Sequence, residues 1–240
     1  PSQTTKIYAS NGKLIATLYR ENRTYMPLKK ISPWMPKAAL AIEDTNFYQH
    51  RGVDPKGIVR AIWAKYSQHD TQGASTITMQ LARNVFLNAD QTGERKLKET
   101  LLAIEIEKSF TKDEILEMYL NQIYLGSGAY GVQAATSLYF NKSVKDLTPA
   151  QAAVLAGLPQ SPNEYSPLRH ENKAKDRAKE VLGRMHNKDV GFLTDEQYDR
   201  ALQELEHMKF YNKNRDEFQI LEVPYFSTYV IKELYKRFDE

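Results

Sequence analysis

An acidic pair, Glu43-Asp44, closes an apolar run in the segment KAALAIEDTNFYQHRG. If the run is helical, Glu43 shares a face with Ala39, Leu40 and Phe47, because side chains three and four positions apart are neighbours on a helix. A carboxylate among apolar side chains has its charged form disfavoured, so its pKa rises toward the range in which a general base works. The alternative is a surface pair that ends the helix before a turn, and this stretch alone is compatible with both.

A second carboxylate, Glu99, lies in the run RKLKETLLAIEIEKSF. A helical wheel places two apolar groups on nearly opposite faces, one with Leu97, Leu101 and Ile104, the other with Leu102, Ala103 and Ile106. A helix that is apolar on two faces is typical of the centre of a domain, so we expect it to be buried. Glu99 and Arg95 fall on the second face. Because a buried charge is costly, Glu99 either pairs with Arg95 one turn earlier or takes part in chemistry.

Two enclosed carboxylates suggest sugar transfer, in which one group handles the proton of an attacking hydroxyl and the other assists departure. A third stretch, QGASTITMQLARN, has a turn with two hydroxyls, Ser75 and Thr76, followed by Gln80 and Arg83 at helical spacing. One hydroxyl could simply cap the helix. The stretch could also line a cleft for a polyanionic substrate, because amides, hydroxyls and a guanidinium suit phosphate oxygens.

Other motifs point away from cofactor chemistry. The segment GSGAYG, residues 126–131, matches the dinucleotide-binding pattern, but it follows a helical run rather than a strand, so we predict a loop. The five histidines have no metal-ligand spacing and cysteine is absent, so no dedicated metal site is expected.

The elements that must position these residues are mostly helical. Three capping boxes, in which a threonine is followed three residues later by Glu or Gln, predict helix starts at Thr111, Thr148 and Thr194. Strand-like alternation occurs only near the N-terminus, where KIYASNGKLIATLYR predicts a short β-hairpin turning at Asn11-Gly12.

Composition suits one large globular domain, or one domain with an appendage: 240 residues, of which 41% are hydrophobic and 26% charged. The net charge of +3 is too small to indicate a nucleic-acid partner. No stretch approaches the roughly 18 apolar residues of a membrane-spanning helix. The amphipathic run GIVRAIWAKY places Ile58, Ile62 and Trp63 on one face, which favours core packing, with a membrane-surface helix as the alternative.

Five segments occur in an order that resembles the successive motifs of the peptidoglycan glycosyltransferases, glycosyltransferase family 51. They are EDTNFYQHRG, GASTITMQLARN, RKLKE, YLNQIYLGSGAYG and AVLAGLPQSPNEYSP. The resemblance implies a mainly α, lysozyme-like fold with a large helical lobe and a smaller membrane-facing lobe. It also implies polymerisation of lipid II into β-1,4-linked glycan strands, with inversion and release of undecaprenyl diphosphate.

By the same resemblance, Glu43 is the general base that deprotonates the sugar 4-hydroxyl of the incoming lipid II. Glu99 assists the donor diphosphate, directly or through a divalent cation, Mg²⁺ or Mn²⁺, and Arg95 stabilises the leaving group. The other positions that match substrate-binding residues are Asp44, Ser75, Thr76, Gln80, Arg83 and Arg177. Two positions depart from the pattern: Met79 replaces a glutamine found in many relatives, and Arg83 replaces a lysine.

The resemblance assigns residues 1–211 to the glycosyltransferase domain and residues 212–240 to a connector toward a transpeptidase domain of a class A penicillin-binding protein. A monofunctional enzyme is the alternative. The expected location is the outer face of the bacterial cytoplasmic membrane, with an N-terminal anchor in the natural form and contacts with other cell-wall synthesis proteins. Two rival functions are a lysozyme-like glycan hydrolase and an inactive scaffold that binds lipid II.

Overall fold

The computed structural model describes residues 5–8, 14–18, 22–55, 75–86 and 93–211, with side chains in 24–55, 75–84 and 96–211. Eight α-helices lie in this part of the chain: α1 Trp34–Glu43, α2 Ile77–Phe86, α3 Gly93–Ser109, α4 Lys112–Gln122, α5 Val132–Phe140, α6 Pro149–Gly157, α7 Glu171–His186 and α8 Asp195–His207. The mainly helical fold predicted from the sequence is thus confirmed. The run at Ile58, Ile62 and Trp63 and the predicted connector, residues 212–240, lie outside the described residues.

Four short strands accompany the helices in the described part of the chain. Strands β1 (Thr5–Tyr8) and β2 (Leu14–Leu18) pair antiparallel, with Thr5 opposite Leu18 and Ile7 opposite Ala16, which confirms the N-terminal hairpin. Its predicted turn lies outside the described residues. Strand β3 (Asn22–Arg23) pairs in parallel with β4 (Ala129–Tyr130). The chain that follows β3 is fastened to α4 through Asn121, whose side chain accepts from the Met26 N–H and donates to the Met26 carbonyl.

The three predicted capping boxes are present at the starts of α4, α6 and α8. In each, the threonine hydroxyl accepts from the backbone N–H three residues later, and the Glu or Gln at that position accepts from the threonine N–H. These bonds satisfy donors that the first helical turn leaves free, which explains why the helices begin at these residues.

Helix α6 lies at the centre of the fold. Every residue from Ala150 to Gly157 is buried, and α1, α7 and α8 all pack against it. Its sequence, PAQAAVLAG, consists largely of small side chains, which allow neighbouring helices to approach closely. Helices α1 and α7, which carry Glu43 and Arg177, are therefore held against one rigid element.

Helix α3 departs from its prediction. The face with Ala103 and Ile106 is buried as expected, but Leu97 is 61% exposed, Leu101 58% and Ile104 37%. The prediction that α3 is buried on both apolar faces is wrong, because among the described helices α3 packs chiefly on α2, and the face with Leu97, Leu101 and Ile104 stays exposed. The residues Leu97, Leu101 and Ile104, here called the leucine stripe, form an apolar surface opposite Glu99.

Candidate active site

Glu43 is the last residue of α1, and the end of the helix is set by Asp44. The Asp44 N–H still bonds to the Leu40 carbonyl, but its backbone has left the helical region, with φ −160° and ψ 77°. Glu43 is partly buried, and its Oε2 accepts a 2.7 Å hydrogen bond from Nε2 of Gln80 in α2. The carboxyl therefore has a fixed donor on one oxygen and keeps part of its surface accessible.

Opposing effects act on the pKa of Glu43. Burial raises it and is the largest effect, while the Gln80 hydrogen bond and the charges of Arg177, Arg184 and Arg83 lower it. The net result is a raised pKa, so desolvation outweighs the hydrogen bond and the guanidinium groups together. A raised pKa makes the carboxylate form of Glu43 a stronger base than an ordinary glutamate, which suits it to accept a proton.

Gln80 is buried and links Glu43 to a third helix. Its Oε1 accepts a 3.3 Å hydrogen bond from the hydroxyl of Tyr119 in α4. Arg83 follows Gln80 by one helical turn, and its charge acts on both Glu43 and Tyr119. Helix α2 thus presents an amide and a guanidinium to the same carboxyl.

Asp44 has a positioning role in the described contacts. Its buried carboxylate accepts from Nε2 of His50 at 2.9 Å and from the backbone N–H of Ile77, the first residue of α2, at 3.0 Å. A carboxylate at a helix N-terminus also interacts favourably with the helix dipole. Asp44 therefore holds the end of α1 against the start of α2, and so fixes Glu43 relative to Gln80.

The sequence left two roles open for the hydroxyls of Ser75 and Thr76, helix capping and substrate contact. In the structure the two hydroxyls have different partners. The Thr76 hydroxyl accepts from the Met79 N–H, as an N-cap does, and donates to the Gly52 carbonyl at 2.6 Å. Gly52 has φ +89° and lies so close to α3 that a Cβ would be 2.9 Å from the Ala103 carbonyl oxygen, so only glycine fits there. Ser75 instead faces α3, where its Oγ accepts from Nζ of Lys96 at 2.7 Å.

Glu99 is buried as predicted, with a residue exposure of 1%. Its Oε2 accepts from Nζ of Lys96 at 3.3 Å, and the Lys96 side chain is half exposed. The side chain of Arg95, the partner expected from the sequence, lies outside the described side chains. Lys96 thus joins Ser75 and Glu99 and places a positive charge at the edge of the site.

A divalent cation fits this arrangement only in part. Within the described residues, no group of three or more His, Asp or Glu side chains is placed to hold a metal ion. Glu99 supplies one carboxylate, already paired with Lys96, so the remaining ligands of Mg²⁺ or Mn²⁺ would have to come from the substrate.

Comparison with known proteins gives the same family as the motifs. The family model described as transglycosylase matches residues 11–186. The chain belongs to the transglycosylase family. It is 47% identical over 236 residues to penicillin-binding protein 1A of Escherichia coli, covering 98% of this chain and 27% of that protein. It is 46% identical over 214 residues to penicillin-binding protein 1A of Aquifex aeolicus, covering 89% of this chain and 29% of that protein.

A solved structure supports the fold of this transglycosylase. The crystal structure of penicillin-binding protein 1A from Haemophilus influenzae matches with a TM-score of 0.57 and 25% identity, covering 100% of this chain and 25% of that one. The expected lysozyme-like transglycosylase fold is confirmed. The chain therefore spans between a quarter and a third of the length of these relatives. None of the described helices is both long and apolar enough to cross a bilayer.

Arg177 lies in the interior of the transglycosylase rather than on an exposed face of α7. Its stem crosses Gly157 of α6 so closely that a Cβ there would lie 2.8 Å from its Cγ. The guanidinium lies 5.8 Å from the centre of the Tyr165 ring, pairs with Glu180, and acts on the charge of Glu43. The structure thus brings this predicted position to the first carboxylate.

Three residues of the site were missed from the sequence: Tyr119, Lys96 and Arg184. Arg184 follows Arg177 by two helical turns, and its Nη1 donates to the carbonyl of Ile42, next to Glu43, at 3.5 Å. That seven-residue spacing on one face of α7 was a usable signal. Lys96 lies inside the RKLKE segment, next to Arg95, whose predicted pairing with Glu99 lies outside the described side chains. Tyr119 had no local signal, because it meets Gln80 only through the packing of α4 on α2.

Proposed function

We propose that this chain polymerises lipid II, adding disaccharide units to a growing glycan strand through β-1,4 linkages. Glu43 acts as the general base. It takes the proton from the 4-hydroxyl of the incoming lipid II, and the freed oxygen attacks the anomeric carbon of the growing chain. The bond from that carbon to the diphosphate breaks, undecaprenyl diphosphate leaves, and the configuration inverts from α to β.

The environment of Glu43 carries this proposal. Burial alone would keep the carboxyl protonated and useless as a base, whereas full solvation would make it a weak one. Gln80 and the three arginines around Glu43 favour the carboxylate, while burial raises its pKa. The same cationic groups suit a substrate that carries a diphosphate. A hydrolase that acts on a neutral glycan does not require such groups.

The leaving diphosphate is assigned to the cationic side of the site. Two cations on this side, Lys96 and Arg83, have described side chains. Arg95 is assigned to the same side from its place in the RKLKE motif. Glu99 orients Lys96 by the described ion pair and can contact a cation that arrives with the diphosphate. Ser75 contacts Lys96 on this side, and Gln80 contacts Glu43.

The proposed location is the outer face of the bacterial cytoplasmic membrane, where the lipid tail of the substrate is anchored. One observation supports a membrane surface, the exposed leucine stripe on α3. Attachment to a transpeptidase domain through residues 212–240, and contact with other cell-wall synthesis proteins, extend the same proposal to the longer relatives.

The deciding experiment uses labelled lipid II and compares the parent with Glu43→Gln. Glutamine keeps the shape of glutamate but cannot take the hydroxyl proton, so turnover should fall by a factor on the order of 10²–10⁴. Products are separated by size and digested with lysozyme, which cleaves a genuine glycan strand.

Glu105→Gln is the matched control, because Glu105 is an exposed glutamate of α3 paired with Lys108. It should polymerise lipid II at the parent rate. A Glu43→Gln protein that polymerises near that rate would refute the base assignment. A parent that shortens glycan strands without extending lipid II would identify a hydrolase instead.

A further inference from the structure

Glu43 is connected through Gln80 to a buried group that the proposed chemistry does not use, the hydroxyl of Tyr119. Tyr119 is 1% exposed and donates to Oε1 of Gln80, while Nε2 of Gln80 donates to Glu43. Side chains from α4, α2 and α1 thus form one chain of hydrogen bonds that ends at the reactive carboxylate.

The amide of Gln80 has two different ends, an oxygen that only accepts and an NH₂ group that only donates. If it turned by half a rotation, its oxygen would face the oxygens of the Glu43 carboxylate. Burial, followed by the negative charges of Glu43 and Asp44, raises the pKa of Tyr119 well above its ordinary value. The hydroxyl is therefore neutral and has a proton to donate, which holds the amide oxygen on its own side.

We infer that Tyr119 is a positioning residue for the transfer reaction: its hydroxyl fixes the orientation of the Gln80 amide, which presents an N–H to the Glu43 carboxylate. This inference rests on the proposed role of Glu43. Because the neutral hydroxyl donates to Oε1, the Nε2 end of the amide is directed at Glu43.

Other charged groups also face Glu43. They are Asp44 beside it, Arg83 from α2, and Arg177 and Arg184 from α7. Helix α6, which packs against α1, has no ionisable side chain. Changing Tyr119 to Phe removes none of these groups, so a change in the titration of Glu43 reports on the hydroxyl.

The first test is the activity of Tyr119→Phe, which keeps the ring and removes the hydroxyl. Turnover of lipid II should fall roughly 2- to 12-fold, the factor that corresponds to one net hydrogen bond, while KM stays unchanged. The acidic limb of the pH–rate profile should move to higher pH, because the carboxylate loses a fixed donor.

Tyr139→Phe is the matched control. Tyr139 is also fully buried, and its hydroxyl donates to the carbonyl of Leu125 at 2.8 Å, at the start of the glycine-rich loop. The two variants should lose similar thermal stability, but Tyr139→Phe should keep the parent turnover and pH profile. Equal changes in turnover and pH profile for both variants would assign Tyr119 a structural role alone and overturn the inference.

A substrate-free measurement separates this inference from the proposed function. The Glu43 carboxyl is followed by ¹³C NMR against pH, with its signal assigned from Glu43→Gln. Its titration should move upward in Tyr119→Phe, and Tyr119→Phe should have no further effect in a Gln80→Met background. An unchanged titration of Glu43 in Tyr119→Phe would refute the link. So would an effect of Tyr119→Phe that is as large in the Gln80→Met background as in the parent. A parent that fails to polymerise lipid II would refute the proposed function and leave this titration as the test of the link.

Discussion

At the scale of single residues, the site is organised around the cost of burying one carboxyl. Burial raises the pKa of Glu43, and the surrounding donors and cations oppose it without cancelling it. The folded protein therefore holds the Glu43 proton more tightly than the unfolded chain does. The contribution of Glu43 to the unfolding free energy is therefore fully present below the ordinary pKa and is lost as pH rises through the raised one. At higher pH the buried charge lowers the stability.

The stability of Glu43→Gln should accordingly depend on pH. At pH 7.5 the variant should have a higher Tm than the parent by roughly 2–4 °C, a change of about 1 kcal/mol for a chain of this size. The difference should shrink as pH falls and be lost below the ordinary value of 4.5, because Glu43 is then protonated in both the folded and the unfolded parent. Calorimetry across this range measures it, and a gap that stays constant with pH would contradict the raised pKa.

Substitutions of Arg83 test whether the site needs only a positive charge or the bidentate geometry of a guanidinium. We expect Arg83→Lys to retain most of the polymerising activity and Arg83→Ala to lose at least tenfold, because a lysine provides a point charge for a diphosphate without bidentate geometry. Initial rates with lipid II measure the difference. Equal activity of both variants and the parent would remove Arg83 from the site.

The two carboxylates could be predicted from the sequence because their helical neighbours are apolar. The partner of Glu99 could not. The contact of Glu99 with Lys96 depends on side-chain direction and on where α2 places Ser75, neither of which is a local signal. Tyr119 could not be predicted either, because it lies 39 residues from Gln80 in the chain.

At the scale of elements, helix starts were predictable and helix surroundings were not. A capping box is a local chemical signal, and all three occur where they were expected. Periodicity in α3 identified two apolar faces, but periodicity does not say which face meets protein. The leucine stripe was expected to be buried and is exposed, whereas the face with Ala103 and Ile106 is buried.

Two of the caps allow a matched comparison of stability. Thr148 caps α6 and also donates to Oε1 of Glu204 in α8 at 2.7 Å, whereas Thr194 is exposed and caps α8. We expect Thr148→Ala to cost about 1–2 kcal/mol of unfolding free energy and Thr194→Ala about 0.5–1 kcal/mol. Urea denaturation measures both, and an equal cost would show that the bond to Glu204 contributes nothing.

At the scale of the whole molecule, the leucine stripe lies on the helix that also carries Glu99. One face of α3 points a carboxylate into the site, and the opposite face offers three large apolar side chains to the outside. A substrate with a long lipid tail and a diphosphate head lies across such a boundary between apolar and polar surroundings. This arrangement supports the proposed contact with a membrane surface.

Vesicle binding tests the stripe. The double variant Leu97→Asn, Leu101→Asn should bind vesicles of phosphatidylglycerol and phosphatidylethanolamine about tenfold more weakly, because two exposed leucines no longer enter the lipid. Its unfolding free energy should change by about 0.5 kcal/mol or less, since both side chains are already exposed. Sedimentation with vesicles measures binding.

Phe110→Ser is the control, because Phe110 is 45% exposed but lies beyond the end of α3. It should bind vesicles as the parent does. If the double variant binds as well as the control, the stripe is not a lipid contact, and the unplaced prediction at Ile58, Ile62 and Trp63 becomes the remaining candidate.

The raised pKa of Glu43 also makes this residue a target for selective chemical labelling. Carbodiimides react with protonated carboxyl groups, and at near-neutral pH the ordinary surface glutamates and aspartates are almost entirely ionised. Glu43 keeps a larger protonated fraction and part of its surface accessible. A water-soluble carbodiimide with a small amine should therefore modify Glu43 ahead of ordinary surface carboxyls, which gives medicinal chemistry a covalent handle on this residue.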